Sequence, residues 1–170
     1  MPFHKFRKAS SNMSFHFPRS GQIERSLADQ WIRFRRPGER FTNESLGLVA
    51  DMFPMIPEAM RGEQDPYSVE YEREASRGKE PGKKDGSSAF WYPTLLLNLD
   101  VKKALPEEGV EWLFVRVRAK VIKDGRYDLE VVIMDEGMEV VALSHHVCMI
   151  LSSARNLAKR KEVPKVESKL

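Results

Sequence analysis

From Phe90 to Leu151 apolar and polar residues alternate in four successive runs, separated only by short polar breaks. Such a period-2 pattern marks strands with one buried face. In 90–100 (FWYPTLLLNLD), Trp91, Leu95, Leu97 and Leu99 share one face, and Tyr92, Thr94, Leu96 and Asn98 the other. Pro93 cannot donate to a ladder, so an edge or a bulge is expected there. In 111–123, Leu113, Val115, Val117, Ala119 and Val121 point inward, with Arg116, Arg118 and Lys120 outward. Lys-Asp-Gly at 123–125 is a hairpin signal. The runs 127–134 and 140–151 complete the meander, and the last is apolar on both faces except at Ser144, His145 and His146.

Two further strands are expected earlier, at 12–18 with Met13, Phe15 and Phe17 on one face, and at 28–35. In the second, Trp31 and Arg33 oppose Ile32 and Phe34, and Pro-Gly at 37–38 ends it. A helix follows, capped by Thr42 or Asn43 and running to about Phe53, where Pro54 stops it. At 100° per residue Leu46, Val49, Ala50 and Phe53 form one stripe, with Leu48 and Met52 opposite; only Gly47 and Asp51 leave a narrow flank beside Glu44. A helix apolar nearly all round is usually buried. Asp51 is therefore expected to be at least partly desolvated.

Residues 61 to 88 break the pattern, since 13 of these 28 residues are Arg, Lys, Asp or Glu. They read as an exposed insertion, a mobile loop or a lid. A single domain over residues 1 to 160 is expected, with residues 161 to 170 a disordered basic tail.

Composition narrows the function classes. With 41% hydrophobic and 31% charged residues in 170, the chain fits a soluble globular protein. No apolar run approaches the roughly 20 residues of a membrane span, and the start lacks a secretory apolar block. One cysteine, Cys148, permits no internal disulfide and fits a reducing compartment, cytoplasmic or peroxisomal. A net charge of +3, gathered in the tail without an aromatic platform, argues against nucleic acid as a partner. Zinc spacings, phosphate-cradling glycine loops and the GxSxG elbow are missing, so neither metal nor cofactor is expected.

Strand, strand, buried helix, then four antiparallel strands is the order of an α+β hotdog fold, in which the sheet wraps around a central helix. The stretches ADQWIRF, ESLGLVADMFP, FWYPTLLLNLDV, EWLFVRVRAKVIKDGRYDLEVVIMDEG and EVVALSHHVCMIL together resemble the C-terminal hotdog half of the acyl-CoA thioesterase II family, and especially the fungal thioesterase-like proteins. The resemblance spans about residues 10 to 157. Family members usually carry two hotdog units, of which this chain matches the second.

The resemblance implies acyl-CoA thioester hydrolysis by a water held between an Asp on the central helix, a Thr early in the next strand and a Gln in the last strand. These positions fall on Asp51, Thr94 and His146, the last a departure from the family residue. Thioester hydrolysis needs a carboxylate within hydrogen-bond reach of the water and donors for the developing oxyanion. Histidine can hold a water or act as a base, with changed geometry and titration near neutral pH. Gly47, one turn before Asp51, leaves room for a substrate against the helix. Arg33, Arg35 and Arg36 are candidate contacts for coenzyme A phosphates. Each also has a plainer role open to it: an ion-paired acid, a β-forming threonine, a core histidine, solvated arginines. Cys148 shares a face with His146 but lacks an orienting third partner, and reads as core.

Two functions are carried forward. One is an acyl-CoA thioesterase-like protein that hydrolyses or binds acyl thioesters, paired as a homodimer or with a second hotdog unit. The other is a catalytically inactive hotdog remnant serving as an acyl- or polyketide-ligand binding or assembly module.

Overall fold

A computed structural model describes residues 8–61, 73–74, 77 and 90–152. The expected insertion (apart from residues 61, 73, 74 and 77) and the basic tail lie outside these residues. The chain forms β1 (Met13–His16), β2 (Leu27–Phe34), a 3-10 turn (Asn43–Ser45), α1 (Leu46–Ala50), α2 (Ile56–Arg61), β3 (Phe90–Trp91), β4 (Thr94–Val101), β5 (Leu113–Lys123), β6 (Arg126–Met134), β7 (Val140–Met149) and β8 (Leu151–Ser152). Six strands make one antiparallel sheet in the order β1-β2-β5-β6-β7-β4. β3 and β8 form a separate two-stranded ribbon. This is the expected hotdog architecture: α1 lies against the inner face of the sheet.

The core is where the alternation placed it. Ile32, Leu46, Val49, Leu113, Val115, Leu129 and Ile133 are fully buried, each such side chain contributing about 1.5–3 kcal/mol. The β5–β6 hairpin turns at Asp124 (φ 53°) and Gly125 (φ 71°), the positive-φ pair a two-residue hairpin demands. β1 covers only the second half of β2. Beyond it the Gln22 side chain takes over: its Oε1 accepts from Asp29 N–H at 2.7 Å and its Nε2 donates to Asp29 C=O at 3.0 Å. A side-chain amide thus stands in for a missing strand.

Three expectations need correction. First, the helix ends at Ala50, not near Phe53. Asp51 N–H turns back to Leu48 C=O (3.2 Å) and Met52 N–H to Val49 C=O (3.0 Å), tightening the last turn to 3-10 geometry. A separate helix, α2, then forms over IPEAMR, with Ile56 and Ala59 buried three residues apart; Leu48 is exposed rather than buried. Second, Val121 points to solvent, 52% exposed, because the β5–β6 register shifts between Ala119 and Val121. Third, β4 does not keep strict alternation. Leu97 pairs with His146 and Leu96 with Val147, yet Thr94 pairs with Cys148. Leu95 is the extra residue of a bulge, 60% exposed, and the slip carries Thr94 to the inner face alongside Leu97 and Leu99.

Candidate active site at the end of the central helix

The helix entry is fixed from two sides. Ser45 Oγ accepts from Thr42 N–H at 3.0 Å. Asn43 clamps a distant loop, accepting from Leu105 N–H at 2.8 Å and donating to Leu105 C=O at 3.3 Å. Between them these contacts restrain the start of α1, and hence the direction in which the residue capping its C-terminus faces.

That residue is Asp51, half-buried with backbone angles φ −92° and ψ −1°. Thr94 Oγ1 reaches it across the interior and donates to Oδ1 at 3.0 Å. The same hydroxyl lies 3.7 Å from the buried Cys148 Sγ. The Thr94 hydroxyl thus restrains the rotation of the carboxylate.

His146 lies on the inner face of β7 and is fully buried, whereas His145 faces outward. Its ring meets Phe53 edge-on, with centroids 5.4 Å apart. Nε2 lies 2.9 Å from Ser144 Oγ, whose own proton goes to the Asn98 backbone carbonyl. Nδ1 is buried and, among the described residues, has no hydrogen-bond partner. Burial holds the imidazole pKa below its ordinary value; the Asp51 charge pulls it partly back up and His145 pushes it down. The ring is therefore neutral at neutral pH, where the sequence alone pointed to titration in that range.

Gln30, which no motif singled out, is fully buried on β2, with Nε2 donating to Met52 C=O at 2.8 Å and Oε1 unpartnered. Its signal was available: it lies between Ala28 and Ile32 on the face that alternation assigns to the core. Consecutive residues at the end of α1 are thus each met by a polar group. Thr94 holds the Asp51 carboxylate, Gln30 the Met52 carbonyl, and His146 abuts the Phe53 ring.

Gly47 borders open space, since a methyl group built there would meet no atom within 4 Å. The arginines are not brought to this place within one chain. Arg33, on the outer face of β2, pairs with Glu111 at 3.2 Å and stacks over Trp112 at 5.1 Å. Arg35 donates to Met13 C=O at 2.9 Å. β5 and β6 separate β2 from β7, a distance of roughly 14 Å at strand spacing. Arg36 is exposed.

The family model of the acyl-CoA thioesterase C-terminal domain matches residues 3–150. The thioesterase-like protein TwmA of Talaromyces wortmannii is 43% identical over 154 residues, which are 86% of this chain and 43% of that protein. A conserved protein with a hot dog fold from Alicyclobacillus acidocaldarius superposes with a TM-score of 0.55 at 12% identity, over 82% of this chain and 45% of its own. An acyl-CoA thioesterase II from Mycobacterium marinum gives 0.51 at 14% identity, over 85% and 51%. The chain thus spans about half the length of these relatives or less.

Proposed function

Because the chain belongs to the acyl-CoA thioesterase C-terminal domain family, we propose that it hydrolyses acyl thioesters with a water held by Asp51 and His146. The Thr94–Asp51 hydrogen bond carries this reading. It joins a strand and a helix end through a carboxylate, beside a neutral imidazole with an unmet acceptor. Asp51 and His146 Nδ1 each accept one O–H of the water, which leaves an oxygen lone pair directed at the thioester carbon. As the C–O bond forms, the water proton passes to Asp51. The tetrahedral intermediate then collapses, the C–S bond breaks, and the departing thiolate takes that proton from Asp51. The products are a carboxylic acid and a thiol, and Asp51 is restored as a base.

The acyl chain runs past Gly47, where the helix surface is open. A second hotdog unit, most simply another copy of this chain, covers the edge strand β4. Its exposed Leu95, Leu96 and Val101 favour such a neighbour. Arg33 and Arg35 meet coenzyme A phosphates in this arrangement only from the other unit.

Purified protein is assayed against short, medium and long acyl-CoAs. Wild type is expected to release free thiol, and Asp51→Asn to lose on the order of 100- to 10,000-fold in kcat while still folding. The inactive binding module is favoured by two features, histidine at the position where the resemblance places glutamine and the match to only part of the length of the longer relatives. It predicts acyl-CoA binding without turnover, in which case Asp51→Asn alters only stability.

A further inference from the structure

The hydrogens around His146 are over-determined. The Asn98 backbone carbonyl can only accept, so the single Ser144 proton is committed to it. Ser144 Oγ therefore faces His146 Nε2 as an acceptor at 2.9 Å, and Nε2 must carry the ring proton. Nδ1 is left as a bare, fully buried lone pair. The opposite tautomer would turn the Ser144 hydroxyl away from Asn98 and place an N–H at a site with no acceptor.

We propose that Ser144 is a positioning residue that, anchored on the Asn98 carbonyl of the edge strand, locks His146 as the Nε2–H tautomer and keeps Nδ1 an acceptor. The proposal rests on the hydrolytic reading above for its kinetic consequence, but not for its structural content. Ser144 acts through His146, which it contacts directly. It decides which ring nitrogen offers a lone pair, and so whether His146 can receive an O–H from the water rather than donate to the substrate oxygen.

Nitrogen-15 NMR of the imidazoles reads the tautomer directly, with the His146 signals assigned by their loss in His146→Gln. Wild type is expected to show protonated Nε2 and bare Nδ1. Ser144→Ala should give a tautomer mixture and lower kcat tenfold or more with KM nearly unchanged, and Ser144→Thr, which keeps the hydroxyl, should restore both. A wild-type spectrum with the proton on Nδ1 would overturn the proposal, as would a Ser144→Ala protein with the wild-type tautomer. Wild type showing the expected tautomer and no hydrolysis would leave the Ser144 assignment standing and remove the catalytic reading instead. Should Ser144→Ala not fold, Ser144→Gly, which also removes the hydroxyl, is read in the same way.

Discussion

At the scale of single residues, what matters is which polar atoms are met and which are left bare. Thr94 donates to Asp51, whereas His146 Nδ1 and Gln30 Oε1 are buried acceptors without partners among the described residues. Buried polar atoms ordinarily find partners, so two bare acceptors around one helix end mark the place where a small donor molecule belongs. The depressed His146 pKa has a defined sign. As pH falls through the ordinary imidazole range, the unfolded chain takes up a proton that the folded chain resists, so stability drops there and in the range just below; above it this contribution is constant. Melting temperature against pH should therefore fall more steeply on the acid side for wild type than for His146→Gln. Gly47 offers a second test. Alanine there meets nothing in the protein and improves helix propensity by up to about 1 kcal/mol. Gly47→Ala is expected to raise the melting temperature slightly and to raise KM for acyl-CoA. An unchanged KM would mean that no ligand passes that face.

At the scale of elements, alternation located the strands of the sheet well, because one face of each is buried and period 2 leaves little freedom. The 28–35 and 140–151 runs, for example, appear as 27–34 and 140–149. It failed where pairing between strands overrides spacing along one. Nothing in TLLL announces that Leu95 is the extra residue, and strict alternation put Thr94 on the opposite face from Leu97. The Asp51–Thr94 pairing was legible only through family resemblance, and Ser144 and Gln30 drew no role because the backbone carbonyls that anchor them, of Asn98 and Met52, are distant in sequence. The short α2 was not expected, since Pro54 was read as ending the only helix there; Pro57 falls in the first turn of α2, where proline is tolerated. The bulge gives a sharp test in the exchange Thr94→Leu with Leu95→Thr. The hydroxyl then moves to the outward, exposed position, and kcat should fall about ten- to a hundredfold with the loss of one charge-assisted hydrogen bond. Retained activity would mean that β4 is in the unbulged register.

At the scale of the whole molecule, β4 has two duties. It is an edge of the six-stranded sheet, and it supplies both Thr94, which holds Asp51, and the Asn98 carbonyl, on which Ser144 is anchored. A dimer mass is expected by light scattering at micromolar concentration, with β4 against a second copy. An edge strand without a neighbour exchanges its amide hydrogens fastest and peels first. Each peeling event would free the carboxylate and unlock the imidazole together. Specific activity should then fall on dilution below the dissociation constant of the dimer, in step with faster amide exchange in β4 and without loss of the remaining fold. With both anchors of the site on the proposed seam, assembly is expected to act as the switch: a chain alone should keep its shape but idle, and two chains together should work.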